Sequence, residues 1–279
     1  MKRLERLKVA VIGVGNMGSK YVKKLDLLNI DTILIDKDQN KLKEQPDKFK
    51  KYTDLDEALK ENRIDYAFIA TDPLSHIPIA KKLLEREINV MIEKPPAITP
   101  KPLDEAINLA QRNNLCLSVS EIELKSNSVR NIELNSDIHL IEAYRLNLGK
   151  GYINPFYDLA WHDLYILHYL FGRFNIKRVK NTEGIIKVIG NTEGQEFKIE
   201  VAWEYPYIRR EWILRKGEED IKLNFVEDKI IYPRKKVKSP DKKDKLELMI
   251  KEFLQNPSFD SSYRALEILY QFEKNKITV

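Results

Sequence analysis

Short apolar runs alternate with amphipathic stretches over the first 120 residues. The runs are continuous, which is typical of parallel strands that helices cover on both faces. Strand–helix alternation with crossovers of this length predicts a doubly wound parallel sheet in an α/β protein. The predicted strands are Lys8–Gly13, Thr32–Asp36, Tyr66–Ala70, Val90–Glu93 and Leu115–Val119, and the predicted helices are Met17–Leu28, Asp54–Lys60, Leu74–Arg86 and Pro102–Arg112.

The pattern changes after about residue 120. From Phe197 to Tyr205 apolar residues occupy every second position, which predicts a half-buried strand of an open, mostly antiparallel sheet. Ile221, Leu223 and Phe225 repeat this alternation. We therefore predict two domains, residues 1–120 and 121–279. Further elements predicted in the second are a strand at Ile138–Leu146 and helices at Asn154–Phe171, Lys242–Leu254 and Ser261–Asn275.

Composition narrows the class of protein. A chain of 279 residues fits two domains of ordinary size. Its net charge is only +5 although 33% of its residues are charged, which argues against a nucleic-acid binder, and we expect the lysine-rich stretch Arg234–Lys245 to be a solvated loop. The single Cys116 excludes an internal disulfide, and no apolar run is long enough to span a membrane. We expect a cytoplasmic protein, and its lysine, glutamate and isoleucine content is typical of a heat-loving source.

A glycine-rich segment, Gly13–Gly18, reads G-x-G-x-x-G between the first predicted strand and a predicted helix. In this context Gly13 permits a tight turn, Gly15 lets the backbone approach a pyrophosphate, and Gly18 allows the helix to pack closely on the strand. The N-terminus of the helix supplies amide donors for the phosphates. We therefore predict a dinucleotide site whose loop contacts are Gly13, Gly15, Asn16, Met17 and Gly18.

An acidic residue, Asp36, ends the second predicted strand 18 residues after Gly18. This is the position from which a carboxylate binds the ribose hydroxyls of a dinucleotide. Because a carboxylate repels a ribose 2′-phosphate, Asp36 favours NAD over NADP. Lys37 and Lys41 keep NADP open as the alternative, since a nearby cation offsets that repulsion.

Two segments follow later strands, at the edge of the sheet where ligands bind in doubly wound folds. Thr71 and His76 lie in the sequence ATDPLSH after the third predicted strand. Glu93 and Lys94 lie in the sequence EKP after the fourth. We expect both segments to border the dinucleotide site.

A third segment, DLAWHDLY, lies in the second half of the chain. Asp158 and His162 are four residues apart in a predicted helix, so both side chains lie on one face within reach of a shared ligand. No further cluster of Cys and His residues accompanies them, so we predict no metal site.

Four motifs, taken in order along the chain, resemble those of the Gfo/Idh/MocA oxidoreductase family, and the resemblance covers nearly the whole chain. They are GVGNMG, ATDPLSH, EKP and the D-x-x-x-H of DLAWH. The resemblance implies an N-terminal Rossmann domain and a C-terminal α/β domain whose open sheet binds substrate and forms a homo-oligomer, a dimer or tetramer. In motif the chain is most similar to the branch containing UDP-N-acetylglucosamine 3-dehydrogenases, whose W-x-x-P-x-x-x-R motif is matched by Trp203, Pro206 and Arg210. It departs at Tyr165, where that branch has Asp.

The resemblance also implies a reaction, hydride transfer between a secondary alcohol carbon of a sugar or nucleotide sugar and nicotinamide. His162 is then the preferred general base, and Asp158 orients it or holds a neighbouring hydroxyl. Lys94 hydrogen-bonds the reacting oxygen. The reverse division, with Lys94 as the acid/base and His162 as the orienting group, is equally compatible with the residues. Further predicted cofactor contacts are Lys37, Thr71, His76, Glu93 and Lys94.

Other functions remain open at this point. Within the family, an inositol or free-sugar dehydrogenase or a small imine reductase has the same constellation of residues. A regulator that binds dinucleotide without turnover is the alternative from a different class. Basic residues that face the substrate would favour a nucleotide-sugar diphosphate, and the candidates are Arg145, Lys150, Arg209 and Arg210.

Overall fold

The computed structural model describes residues 7–134, 137–151, 153–217, 219–233 and 243–275. It consists of two compact units, Met1–Ser120 with Leu246–Leu266, and Glu121–Lys245 with Glu267–Val279. These units differ from the predicted domains 1–120 and 121–279, because 246–266 falls in the first unit. Most of the lysine-rich stretch, 234–242, lies outside the described residues. Within the described ranges no helix has the length and apolarity needed to cross a membrane.

The first unit is built from alternating strands and helices. Its parallel strands consist mainly of buried apolar residues, because helices cover both faces of the sheet. In chain order these elements are β1 (Lys8–Ile12), α1 (Asn16–Leu27), β2 (Asp31–Ile35), α2 (Gln39–Lys43), β3 (Lys50–Tyr52), α3 (Leu55–Glu61), β4 (Tyr66–Ile69), α4 (Pro73–Leu84), β5 (Asn89–Ile92), α5 (Pro100–Arg112) and β6 (Leu117–Val119).

The strand order of this sheet, β3-β2-β1-β4-β5-β6, confirms the doubly wound Rossmann topology. Neighbouring strands are parallel, and the chain reverses its direction of winding between β1 and β4. Ile12 at the end of β1 pairs with Ile69 at the end of β4, so the loops that follow both strands lie side by side. This is the switch point at which doubly wound sheets bind ligands.

Aromatic packing explains why 246–266 belongs to the first unit. The ring of Phe68 on β4 stacks on Tyr21 of α1 at a centroid distance of 4.8 Å. It also meets the edge of Phe253 at 5.4 Å, and Phe253 contacts Tyr66 as well. Phe253 lies on α8 (Lys245–Gln255), whose buried residues cover this part of the sheet. Hydrophobic periodicity reports that a helix has a buried face but not which unit it packs against, so the sequence did not reveal this exchange.

The second unit contains a seven-stranded sheet in the order β13-β12-β11-β7-β10-β9-β8. All neighbouring strands are antiparallel except β10 and β7, which confirms the predicted mostly antiparallel sheet. The short helix α6 (Asn127–Arg130) precedes β7, and α9 (Asp260–Lys274) is divided between the two units at residue 266. The remaining elements are β7 (Leu140–Leu146), α7 (Trp161–Phe171), β8 (Phe174–Thr182), β9 (Ile185–Thr192), β10 (Glu196–Ala202), β11 (Arg209–Arg215), β12 (Ile221–Asn224) and β13 (Lys229–Ile231).

The predicted alternation is present in β10. Phe197, Ile199 and Val201 are buried, while Lys198 and Glu200 lie on the opposite face. The strand stops at Ala202, earlier than the alternation suggested. The backbone turns at Glu204, which has a φ of +57°, and the chain then reverses into β11. Local turn geometry therefore ended a strand whose apolar pattern continued.

Candidate functional site

The glycine-rich loop joins β1 to α1 and has the close backbone contacts that its motif requires. A Cβ at Gly13, whose φ is +85°, would lie 2.6 Å from the carbonyl oxygen of Ala70, and one at Gly18 would lie 1.8 Å from that of Gly13. Only glycine fits at these two positions. Gly15 has no neighbouring atom within 4 Å of its Cβ position and borders a cavity. The loop thus leaves open space at the glycine that lets a pyrophosphate approach.

The buried carboxylate of Asp36 connects the second strand to this loop. Its Oδ2 accepts the backbone N–H of Val14 at 2.8 Å, and its Oδ1 accepts the N–H of Asp38 at 2.9 Å. Two carboxylate oxygens offer about four acceptor positions, so each retains one for a further donor such as a ribose hydroxyl. Asp36 is therefore held in place by the loop, in the arrangement that suits a dinucleotide.

A cavity of about 430 Å³ lies at the switch point of the first unit. Lys37 and Lys41 are among its lining residues, so both cations considered for the NADP alternative border it. At its edge the pKa of Asp72 is lowered because the Ser75 hydroxyl donates to its carboxylate. The structure thus groups these predicted cofactor residues around one cavity: Gly13, Gly15, Asp36, Lys37 and Thr71.

The remaining predicted cofactor residues of this unit are not among the residues that line the cavity. Asn16, Met17 and Gly18 form the first turn of α1. His76 is buried on α4, with Nε2 3.1 Å from the carbonyl oxygen of Thr71 and Nδ1 3.1 Å from that of Pro95. Burial lowers the pKa of His76, although the two carbonyl oxygens favour its charged form. His76 therefore bridges the loops after β4 and β5.

The sequence Glu93-Lys94-Pro95 follows β5, and the Lys94–Pro95 peptide bond is cis. The Oε2 atom of Glu93 accepts the backbone N–H of Lys94 at 3.3 Å. The Oε1 atom accepts a hydrogen bond from the buried hydroxyl of Tyr21 at 2.5 Å. Glu93 is thus anchored to α1 directly beside Lys94. Sequence reasoning missed Tyr21, whose only signal was a polar atom on the inward face of α1.

In the second unit, Asp158 and His162 straddle a junction between two kinds of helix. Asp158 lies in a π-helical segment, Phe156–Ala160, and His162 in the first turn of α7. The predicted helix Asn154–Phe171 is therefore not one regular α-helix. Single-turn π segments occur frequently at functional sites. The Nδ1 atom of His162 lies 2.9 Å from the hydroxyl of Tyr165, a second residue that sequence reasoning did not assign to the site.

Beside His162, the completely buried Asp163 ties α7 to the sheet. Arg145 on β7 donates from Nε and Nη2 to its two carboxylate oxygens at 3.0 Å, and Trp212 Nε1 donates to Oδ1 at 2.8 Å. The Asp163 carboxylate raises the pKa of Arg145 against the opposing effect of burial. Arg145 is thus committed to this structural pair and does not serve as a substrate contact.

The other basic candidates have different surroundings. Arg209 stacks on the ring of Tyr144 at 3.4 Å and pairs with Glu211 at 2.8 Å, and Lys150 pairs with Glu204 at the surface. Arg210 is half-buried and donates from Nε to Asn147 at 2.8 Å. Burial and the neighbouring cation Arg145 lower the pKa of Arg210.

Comparison with known proteins connects this geometry to a family. Residues 7–121 match the model of the GFO_IDH_MocA family, described as an oxidoreductase family with an NAD-binding Rossmann fold. The match covers less than half of the chain, so the likeness to this family is established for this segment alone. The match includes the glycine loop, Asp36 and the turn after β5, and it confirms the resemblance inferred from the motifs.

Relatives extend the likeness over the rest of the chain at the level of the fold. The family-109 glycosyl hydrolase protein 5 of Phocaeicola vulgatus is 26% identical over 182 residues, which are 58% of this chain but only 34% of the relative. The UDP-N-acetylglucosamine 3-dehydrogenase GnnA of Acidithiobacillus ferrooxidans superimposes with a TM-score of 0.86 at 19% identity, covering 98% of this chain and 97% of its own.

A further solved structure shares the fold. KijD10, a 3-ketoreductase from Actinomadura kijaniata in complex with TDP-benzene and NADP, has a TM-score of 0.81 at 13% identity. The superposition covers 94% of each chain. At these identities the structural neighbours show a shared fold and nothing further.

Proposed function

We propose that the protein transfers a hydride between a secondary alcohol of a sugar or nucleotide sugar and a nicotinamide dinucleotide. The observation that carries this proposal is the arrangement at the switch point, where the buried Asp36 is held to the loop beside the open Gly15. A carboxylate that keeps acceptor positions for further donors, beside a glycine loop and an adjoining cavity, fits the ribose and pyrophosphate of a dinucleotide. The dehydrogenase and ketoreductase named above support the sugar-like substrate.

The cofactor is proposed to be NAD, with NADP as the alternative. Backbone amides of Gly15 to Gly18 would hold the pyrophosphate, and Asp36 the ribose. NAD, when bound, supplies the hydride acceptor and thus the redox chemistry. The negative charge of Asp36 disfavours a 2′-phosphate, while Lys37 and Lys41 at the cavity offset part of that repulsion.

The chain's own task is to hold the alcohol and move one proton. We assign Lys94, His162 and Asp158 to this task. Lys94 is supported by the anchored turn in which Glu93 binds both Tyr21 and the Lys94 N–H. His162 is supported by the π-to-α junction at which it lies, a type of backbone feature enriched at functional sites. Asp158 from the same junction would hold a neighbouring hydroxyl of the substrate.

Reduction of NAD and of NADP, followed separately, tests this function. The substrates are UDP-N-acetylglucosamine, free sugars and inositols, assayed warm because of the composition. We expect reduction with one substrate class, and an at least 100-fold lower turnover in Lys94→Ala and His162→Ala with NAD affinity retained. Lys101→Ala, an exposed lysine on α5, is the control and should match the parent protein. Binding of NAD without any turnover would favour the regulatory alternative, and failure to bind either dinucleotide would contradict the proposal.

We also propose that the protein forms a dimer or tetramer through the outward face of the second sheet. That face combines apolar and charged residues on neighbouring strands, including Tyr144, Ile213 and the pair Lys187–Glu200 at 2.8 Å. Burial of Ile213 against a second copy would stabilise such an assembly. Light scattering should therefore report a mass above 32.8 kDa for the parent protein and a lower mass for Ile213→Arg.

A further inference from the structure

The hydroxyl of Tyr165 is completely buried and has two hydrogen-bond partners. The backbone N–H of Glu123 lies 3.0 Å from it, and Nδ1 of His162 lies 2.9 Å from it. Burial raises the pKa of this phenol well above its usual value, so the hydroxyl keeps its proton.

Counting protons assigns the direction of both bonds. A backbone N–H is always a donor, so the Tyr165 oxygen accepts from Glu123. The phenol proton then requires an acceptor, and His162 Nδ1 is the one within reach. If Nδ1 carried a proton instead, the Tyr165 oxygen would accept twice and its own buried proton would have no partner. A buried donor without an acceptor costs about 1–3 kcal/mol.

We propose that Tyr165 is a positioning residue that holds His162 in the tautomer with the proton on Nε2. In this state Nδ1 is an acceptor that Tyr165 occupies, and Nε2 is a hydrogen-bond donor. A residue that only accepts hydrogen bonds at this position, such as a carboxylate, would select the opposite tautomer. The identity of residue 165 therefore determines which ring nitrogen of His162 carries the proton.

The tautomer divides the roles within the proposed function, on which this inference rests. A neutral imidazole with its proton on Nε2 donates a hydrogen bond from that atom but does not take up a proton there. His162 then orients the reacting oxygen of the alcohol, and Nζ of Lys94, the other residue assigned to the proton, is the site that takes up the proton of the alcohol. The choice between Lys94 and His162 that the sequence left open is thereby made in favour of Lys94.

Nitrogen-15 NMR of the imidazole rings tests the tautomer directly and without any substrate. Comparison with His162→Gln identifies the His162 signals among those of the four histidines. In the parent protein near pH 8 we expect a protonated Nε2 and an unprotonated Nδ1. In Tyr165→Phe, which removes the donor, the two nitrogens should move toward the mixture of tautomers of a free imidazole. A parent protein with the proton on Nδ1 would overturn the proposal even if the variant did not fold.

Tyr157→Phe is the matched control. The buried hydroxyl of Tyr157 lies on the preceding π-helical segment and has no hydrogen-bond partner. Tyr157→Phe therefore makes the same substitution on the neighbouring segment without removing a hydrogen bond. This variant should leave the His162 tautomer unchanged. An equal change in both variants would mean that the ring responds to helix packing rather than to the Tyr165 proton, and would contradict the proposal. Because the readout is spectroscopic, an absence of dehydrogenase activity would reject the proposed function and leave the tautomer assignment to be judged separately.

Turnover provides a second readout. If Tyr165 acts through His162, Tyr165→Phe should lower kcat about tenfold with little change in the Kd for NAD. Combined with His162→Ala it should cause no further loss, since the residue through which it acts is gone. If the double variant instead lost kcat by the product of the two single-variant factors, Tyr165 would not act through His162.

Discussion

The buried hydroxyl of Tyr21 donates to Glu93 across 72 residues of sequence, at 2.5 Å. Tyr21 lies on α1, the helix that the glycine loop begins, and Glu93 precedes Lys94 in the turn after β5. One hydrogen bond thus connects the proposed dinucleotide loop with the turn that carries the proposed acid/base. Burial and the Glu93 carboxylate both raise the pKa of Tyr21, so this hydroxyl remains a donor.

Tyr21→Phe should therefore impair Lys94 without removing it. A hydrogen bond to a charged group contributes about 1.5–3 kcal/mol, and we expect a loss of stability in that range with a roughly tenfold lower kcat. Urea unfolding and steady-state kinetics measure the two effects. Tyr52→Phe, which loses an exposed hydrogen bond to Glu61 and one from Asn62, is the control and should change neither strongly. An unaltered kcat in Tyr21→Phe would separate Tyr21 from the site.

Asp36→Asn should change the preference between cofactors. The amide retains the size of the side chain but removes the charge that repels a ribose 2′-phosphate, and it weakens the bonds to ribose hydroxyls. We expect the Kd for NAD to rise about tenfold and that for NADP to change less or to fall. Isothermal titration with each dinucleotide measures this. Asp31→Asn, an exposed carboxylate at the opposite end of β2, should leave both affinities unchanged.

Asp163→Asn should destabilise the second unit strongly. The substitution leaves the buried Arg145 guanidinium without its charged partner, and breaking a buried pair in this way costs about 3–5 kcal/mol. Denaturant unfolding followed by tryptophan fluorescence reports it, since Trp212 donates to the same carboxylate. Asp56→Asn breaks the surface pair with Lys82 and should cost about 0–1 kcal/mol. Equal losses in both variants would refute the structural role of Asp163.

His76 should make the free energy of unfolding decrease in mild acid. Burial lowers its pKa in the folded protein below the ordinary 6.5, so the unfolded chain binds a proton that the folded one does not. The contribution of His76 is therefore complete above pH 6.5 and is lost as the pH falls through the folded pKa. Unfolding free energies measured between about pH 8 and 5 should decline less steeply in His76→Gln, which does not titrate. A proton NMR titration that placed the folded His76 pKa above 6.5 would reverse the sign.

Local sequence was sufficient for the elements that carry the proposed dinucleotide site. The glycine loop and Asp36 lie within one strand–helix–strand segment, where short-range periodicity and turn chemistry decide the backbone. For that reason the Rossmann topology agrees with the strand–helix alternation of the sequence. Gly13, Gly15 and Asp36, which the sequence motif singles out, line one cavity. The second sheet was similarly visible, because the alternation in Phe197, Ile199 and Val201 required one buried face.

Contacts between distant segments were decided only by the tertiary structure. Periodicity predicts that a helix has a buried face, but it does not state what the polar atoms or ring faces of Tyr21, Tyr165 and Phe253 meet. The hydrogen bonds from Tyr21 to Glu93 and between Tyr165 and His162, and the packing of Phe253 on Phe68, follow from the arrangement of whole elements. The sequence by itself determined which chemical groups are present and which strands and helices of the first unit they follow. The fold decided which of these groups form hydrogen bonds with each other, because those pairings depend on distances across the packed core. The pairings in turn decide which atom of each group acts as the donor.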